Sequence, residues 1–461
     1  MKRRDVIRLM PLSLAAAGIG SRAFASPTTG GPYLGSAEES LGKRYLARVR
    51  DRITWIRETQ SDNMLEAAYA IAERVTKGRA CWYSWDMGHT TTADLTPGRN
   101  GVPEIFTTGY DASKSRDGDL FLANIGGGTQ ELLDKDIFVI GSPVPWSMDA
   151  AGDQKVVYAS AMNRIRPYCD IWIETKMTKI GAIMEVPGMP NTGPISGLIG
   201  MVTYWMMAGD VCRILAREGK SIPVRGDEPA LAKDTPTVSL ATPLMDDYYD
   251  MFMRQHEMIE AEFGNIRKVA SMAIDAVLSG GRVQCYGHYP EALPREAKNR
   301  RGGLSFTQGV AVQNGQLTGV EADYVPSDRD LVIMGFYQPD DPVDLESLDK
   351  FRKQGAKIAS IGPMTRGGRI PDGRTVPKES DIHIGRMCDT YGLYALPGFE
   401  RHVCPTSGAM MNQMFWATCM EMVEELNRRT GDMPGIFLSG AIEGGIAHMR
   451  RVQELYRVRG Y

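Results

Sequence analysis

Two Gly-His pairs stand at comparable places in the chain and carry side chains suited to acid–base chemistry. Gly88-His89 and Gly287-His288 each follow a short apolar run. A histidine can donate or accept a proton near neutral pH, so it suits general acid–base catalysis as well as ligand binding. A single histidine is more often a structural hydrogen-bonding residue. Recurrence at the end of two apolar runs nevertheless favours a functional role for His89 and His288.

The elements around these histidines occur twice in the same order. The matching pairs are the long amphipathic helices 38–78 and 246–278, the strands 79–85 and 282–286, the turns 98–101 and 300–303, the strands 137–140 and 331–334 introduced by Asp136 and Asp330, and the helix starts 194–197 and 405–408. Chance can produce one such pair, but several in the same order predict a diverged internal duplication.

The duplication predicts two domains of similar construction. Segment 225–245 is rich in Pro, Asp, Thr and Ala and lacks helical periodicity, so we expect it to link a domain at 38–224 to one at 246–461. Short apolar strands alternate with helices in each half, which indicates an α/β fold with a mainly parallel sheet covered on both faces. Ligands of such folds bind outside the carboxyl ends of the strands, where the Gly-His pairs fall.

The sequence resembles the sugar isomerase (SIS) phosphosugar-binding domains. In the second half the matching features are Gly287-His288, Glu296, Gly302-Gly303, Asp330, the strand entry 355–361, Pro405-Thr406-Ser407, the strand 434–439 and the helix start Gly444 to His448. The first half is similar through Gly88-His89-Thr90, Asp136, Ser142 and Pro194 to Gly197. The resemblance implies two SIS-like three-layer α/β/α lobes packed against each other, with a small-molecule sugar derivative as the ligand.

The resemblance also implies a set of site residues. Aldose–ketose isomerisation needs a base, for which a carboxylate is suited, and a group that opens the sugar ring, for which a histidine is suited. We expect Glu296 to be the base, with His288 and His448 as further catalytic candidates. A solvated helix residue is the structural alternative for Glu296, and a helix cap is the alternative for His448. The candidate substrate-binding residues are His89, Thr90, Thr91, Ser142, Ser196, Arg301, Gly302, Thr406, Ser407 and Glu443.

The serine-rich phosphate loop of the SIS domains is incomplete in this sequence. Segments 141–146 and 335–339 stand in its place, and neither has the Ser-x-Ser-Gly core. Phosphate binding needs convergent backbone N–H groups and hydroxyls. The departure favours a sugar or sugar acid that lacks a phosphate. Three functions stay open: an isomerase-like enzyme, a non-catalytic sugar-derivative-binding protein, and a sugar etherase or lyase. We expect no cofactor and no metal.

The N-terminus has the pattern of a twin-arginine export signal. Arg3-Arg4, a mildly apolar run at 10–20 and Ala23-Phe24-Ala25 occur in the order that predicts a signal peptide at 1–25. Export by the twin-arginine translocase predicts a periplasmic or secreted protein. The apolar run is too short to cross a bilayer, which takes about 20 residues. We expect no other segment to be long and apolar enough for stable membrane insertion.

Length and composition set broad limits on function. A chain of 461 residues suits two domains, and its 43% hydrophobic and 24% charged residues are ordinary for a globular protein. A net charge of −3 gives no indication of a nucleic-acid partner. Seven scattered cysteines argue against a disulfide scaffold. A homodimer stays open as an assembly.

Overall fold

The structure of the protein is a computed structural model that describes most of the chain after residue 38. The described residues are 39–83, 94, 99–108, 110–123, 132, 134–142, 166, 169–175, 182–288, 293–297, 301–313, 316–318, 327–438 and 443–461. The predicted signal peptide lies outside these ranges, as do His89, Thr90 and Thr91.

Four long helices form the centre of the described structure. The helices in chain order are α1 (Leu41–Thr76), α2 (Ser196–Arg217), α3 (Leu244–Leu278), α4 (Leu293–Ala297), α5 (Pro342–Lys353), α6 (Val376–Glu379), α7 (Ser407–Thr430) and α8 (Gly445–Arg459). Helices α1, α2, α3 and α7 pack against one another. The starts of all four, and the C-terminal ends of α1 and α3, agree with the helices predicted from the sequence to within a few residues.

The strands of the described residues form two larger sheets. The strands are β1 (Cys81–Tyr83), β2 (Val102–Pro103), β3 (Thr107–Thr108), β4 (Leu120–Ala123), β5 (Phe138–Gly141), β6 (Ile171–Trp172), β7 (Ala182–Met184), β8 (Thr192–Pro194), β9 (Val224–Arg225), β10 (Val283–Tyr286), β11 (Thr307–Gln313), β12 (Gln316–Thr318), β13 (Leu331–Gly335), β14 (Lys357–Ile361) and β15 (Ile382–Ile384). The first sheet has the order β3-β1-β4-β5-β6, and the second has the order β12-β11-β10-β13-β14-β15. Pairing is parallel throughout except between β11 and β12. Two short antiparallel pairs, β2 with β9 and β7 with β8, lie outside the sheets. The prediction of a mixed α/β fold with mainly parallel sheets is confirmed.

Alternate residues of the central strands face opposite layers, because successive side chains of a strand point to opposite sides of the sheet. In β13, Leu331 and Ile333 pack against the central helices, whereas Val332 and Met334 pack against α5 through Leu348. The first sheet follows the same rule. Its outward-facing members are Trp82, Phe121, Ala123 and Val139. Burial on both faces explains why the strands appear in the sequence as short continuous apolar runs.

The aspartate that precedes β13 has a different counterpart in the first half of the chain from the one predicted by the sequence comparison. Asp330 accepts hydrogen bonds from the backbone N–H groups of Arg282 and Ser327, both at 2.8 Å. In the first sheet this position belongs to Asp119 before β4, which accepts from Ala80 N at 3.1 Å and Arg116 N at 2.9 Å. Pairing Asp136 with Asp330 was therefore wrong. Strand β4, which pairs with β1, is the counterpart of β13, which pairs with β10.

Two further expectations differ from the structure. Over 434–438, the described part of the predicted strand 434–439, the backbone forms a single bridge, from Ile436 to Leu304. The expectation that no segment after the signal peptide is long and apolar enough to cross a membrane is wrong for α2. By length and composition α2 could cross a membrane, but the qualifying window is entirely buried inside the protein. Its apolar surface is covered by the neighbouring central helices.

The segment around the predicted linker runs along the second half of the chain. Strand β9 spans the predicted boundary at 224 and pairs with β2. Beyond it, Leu231 N donates to Glu400 O at 2.7 Å, and Val238 N donates to Ala395 O at 3.0 Å.

Candidate functional site

The short helix α4 lies over the carboxyl ends of two neighbouring strands, and two glycines permit this approach. A Cβ added at Gly287, after β10, would meet Pro294 Cδ at 2.9 Å. A Cβ added at Gly335, the last residue of β13, would meet Leu293 Cβ at 2.6 Å. A side chain in place of either glycine would therefore displace α4. The helix thereby carries Glu296 to the edge of the sheet where α/β folds bind ligands.

Glu296 is buried and held by a tryptophan of the central helix α7. Its side-chain Oε2 accepts a hydrogen bond from Trp416 Nε1 at 3.0 Å, and the residue is 2% exposed. The interpretation of Glu296 as a solvated helix residue is therefore wrong. The first half repeats the arrangement with a shorter carboxylate, since Asp94 Oδ2 accepts from Trp205 Nε1 at 2.8 Å. Burial raises the pKa of Asp94.

His288 lies at the same edge beside two aspartates of α5. Its Nδ1 is 3.6 Å from Asp341 Oδ1, an ion-pair distance longer than a hydrogen bond. Asp341 precedes Pro342 and caps α5, while Asp344 lies three residues later in the first turn. One ligand atom from each of these three side chains lies within 4.8 Å of the other two.

The two aspartates differ in their surroundings and therefore in their acidity. Asp344 is 1% exposed, and its burial together with the charge of Asp341 raises its pKa to about 8. Burial also acts to raise the pKa of Asp341, but His288 and the backbone N–H groups of α5 lower it on balance. The Asp341 carboxylate in turn raises the pKa of His288 above its usual value. A charged Asp341, a neutral Asp344 and an easily protonated His288 can together bind a polyhydroxylated ligand and exchange protons with it.

The N-terminus of α5 is already occupied by the protein's own carboxylate. Asp341 Oδ1 accepts from Val343 N at 2.8 Å and from Asp344 N at 3.3 Å. Asp340 next to it is paired with Arg366 at 3.1 Å. Helix N-termini bind phosphate through free N–H groups and a positive dipole. At this helix the N–H groups are used and three carboxylates surround the position, so the site is unfavourable for a phosphate.

A second buried cluster joins the two halves of the chain. Arg99 is 1% exposed, donates from Nη2 to Ser407 Oγ at 2.8 Å, and lies 3.4 Å from Asp94 Oδ1. Its guanidinium also stacks 4.0 Å from the ring centroid of Tyr337 in the loop after β13. Arg99 therefore connects the first half to the strand-end loop and to the start of α7 in the second half.

The remaining predicted residues fall at several places. Thr406 and Ser407 begin α7, and Ser196 begins α2; all three are buried. Ser142 follows β5 and is also buried, and Arg301 is half-buried. The turn at Gly302 has a φ of 78°, and its carbonyl accepts from Thr192 Oγ1 at 2.7 Å. The structure therefore places Ser407 against Arg99 in the interior rather than on an open surface.

His448 and Glu443 lie at the C-terminal end of the chain. Glu443 is exposed just before α8. His448, in α8, donates from Nε2 to the carbonyl of Ile436 at 2.9 Å, and burial lowers its pKa. Ile436 adjoins Phe437, whose carbonyl accepts from Gly302 N at 2.8 Å. These contacts give His448 an anchoring role next to the Gly302 turn.

Sequence reasoning missed Asp341, Asp344 and the Arg99–Tyr337 contact. The Asp-Pro step at 341–342 is a helix-start signal that could have located α5 and its cap. The stacking of Arg99 on Tyr337 joins residues far apart in the chain and leaves no local pattern.

No family model matches the chain. The chain is 26% identical over 246 residues to the UPF0309 protein of Geobacillus kaustophilus, which covers 47% of this chain and 95% of that protein. The solved C-terminal domain of glucosamine-fructose-6-phosphate aminotransferase from Francisella tularensis has a TM-score of 0.45 and 11% identity, over 87% of this chain and 98% of that one. Glucosamine-6-phosphate deaminase from Thermotoga maritima has a TM-score of 0.39 and 9% identity, over 85% and 95% of the two chains.

Proposed function

We propose that the protein binds a carbohydrate derivative without a phosphate group at the carboxyl edge of the second sheet. The observation that carries the proposal is the N-terminus of α5, where Asp341 caps the helix beside His288 and Asp344. Carboxylates and imidazole are suitable hydrogen-bonding partners for sugar hydroxyls. The same carboxylates disfavour a phosphate, which agrees with the absence of a Ser-x-Ser-Gly core at 335–339.

We further propose that this site supports isomerase-like chemistry, with Glu296 as the base and His288 as the group that assists ring opening. Aldose–ketose isomerisation moves one proton from C2 to C1 and one from O2 to O1, so no oxidant or reductant is consumed. A carboxylate can carry the carbon-bound proton in both steps. The hydrogen bond from Trp416 fixes one oxygen of Glu296 and hence the orientation of the other.

A non-catalytic binding protein is the second candidate, and one observation favours it. Glu296 is 2% exposed, so a substrate reaches it only after the surrounding residues move. A binding protein needs no such movement, because His288 is half-buried at the edge.

Replacing Glu296 by Gln separates the two candidates. Gln keeps the shape of the side chain and an oxygen that accepts from Trp416, but it cannot act as a base. Isomerisation, followed by NMR on pairs of free aldoses and ketoses, should fall by about 100-fold or more while ligand binding is kept. The matched control is Glu346→Gln on the exposed side of α5, which should leave the rate unchanged.

Unchanged turnover in Glu296→Gln would remove Glu296 from the chemistry. Saturable sugar binding by the wild-type protein, with no turnover of any pair, would establish the binding protein instead.

A further inference from the structure

In contrast to the expectation of no metal from the sequence, we infer that His288, Asp341 and Asp344 form a binding site for a divalent metal ion. Three side chains with ligand atoms within 4.8 Å of one another come from two elements, the end of β10 and the first turn of α5. Ligand atoms of a tetrahedral site with metal–ligand distances of about 2.1 Å lie about 3.4 Å apart. Closing the three side chains onto an ion therefore shortens the separations between their ligand atoms by at most about 1.4 Å.

An incompletely paired carboxylate is the second observation that points to a ligand. Asp344 is 1% exposed, and its Oδ1 is buried without a hydrogen-bond partner. A buried polar oxygen without a partner is costly, and coordination to a metal ion is one of the ways in which proteins satisfy it. The backbone N–H of His288 donates a hydrogen bond to the Asp344 carboxyl group, which fixes Asp344 against the end of β10.

The charge balance also fits a divalent cation. Within the described residues, neither Asp341 nor Asp344 forms an ion pair with a lysine or arginine. Arg366, the nearby guanidinium, is engaged by Asp340 and Asp227. Metal ligands lose their protons when an ion binds, so the two carboxylates and a neutral imidazole then offer a charge of −2, which a divalent ion neutralises.

The donor set indicates the class of ion. Imidazole nitrogen with two carboxylate oxygens suits Mn²⁺ and Zn²⁺ better than a soft ion such as Cu⁺, which prefers thiolates. Three protein ligands leave coordination positions for water or for neighbouring hydroxyls of a ligand. The site lies at the strand ends, where such a ligand would enter.

The test is Mn²⁺ binding to the chelator-stripped full chain in the absence of any sugar, measured by EPR and by isothermal titration. We expect one Mn²⁺ per chain. Asp341→Asn and His288→Ala should each weaken binding by about tenfold or more. Asn is as good an N-cap as Asp, so Asp341→Asn keeps α5 intact while it removes a charge. The wild-type thermal midpoint should rise with Mn²⁺.

His402→Gln is the matched control. His402 also contacts a carboxylate, Glu228, but among the described residues this pair has no third potential metal ligand, so Mn²⁺ binding should be unchanged in this variant. Absence of saturable binding up to about 1 mM, or equal affinity in the wild type and in Asp341→Asn, would overturn the assignment. Because no sugar is present, a negative result leaves the proposed carbohydrate binding to be judged separately.

Discussion

At the residue scale, two buried carboxylates held by tryptophans are the most specific feature of the molecule. Glu296 with Trp416 and Asp94 with Trp205 occupy corresponding places in the two halves. Sequence reasoning identified Glu296 through the resemblance to the SIS domains. It did not find the tryptophans, because they lie more than one hundred residues away on other helices.

A half-buried histidine, His383, whose Nε2 atom is buried, leads to a prediction about pH. Burial, and secondarily Arg386, lowers the pKa of His383 to about 4 from an ordinary 6.5. Above pH 6.5 the folded and unfolded states both hold this histidine neutral. Between pH 6.5 and 4 the unfolded state takes up a proton that the folded state does not, so stability is lost as pH falls.

The measurement is urea unfolding of the wild type and of His383→Gln at pH 7.5 and pH 5. The free energy of unfolding of the wild type should fall relative to that of the variant by about 2 kcal/mol between the two pH values. If the free energy of unfolding depended on pH equally in the wild type and in His383→Gln, the account of His383 as a neutral imidazole in the folded state would be contradicted.

At the element scale, aspartates at strand entries fix where parallel strands begin. Asp119 and Asp330 each accept two backbone hydrogen bonds at equivalent places, before β4 and β13. Asp170 before β6 accepts one such bond from Val139 N, and Asp381 before β15 accepts one from Ile358 N. The sequence comparison chose Asp136 because Lys135-Asp136 resembles Arg329-Asp330 locally. Strand pairing is a long-range property that local likeness cannot decide.

Asparagine substitutions test this equivalence. Asn offers one acceptor oxygen in place of two, so Asp119→Asn and Asp330→Asn should each lower the free energy of unfolding by about 1–3 kcal/mol. Asp136→Asn is the matched control. Asp136 is exposed with a φ of 49°, which Asn tolerates, so we expect a change within about 0.5 kcal/mol. Chemical denaturation measures all three. If Asp136→Asn lowered the free energy of unfolding as much as Asp119→Asn does, Asp136 would again be the better counterpart of Asp330.

At the scale of the whole molecule, two similarly ordered sheets enclose one layer of four helices. The long helices and most strands could be predicted, because their apolar periodicity is local. The contacts between halves could not, since Arg99 meets Ser407, 308 residues away in the chain, and the likewise distant loop residue Tyr337, and no local pattern marks such pairs. The corresponding strand orders favour the predicted duplication. The capped N-terminus of α5 favours a ligand without a phosphate.

The measurement that tests the central claim most directly is a binding comparison between free sugars and their phosphates. Titration calorimetry on the full chain would compare glucose, fructose and glucosamine with the corresponding 6-phosphates, at one ionic strength. The carboxylates around α5 predict that any sugar of this panel that binds does so at least as tightly in its free form as in its phosphorylated form. Tighter binding of a 6-phosphate than of its free sugar would contradict the account.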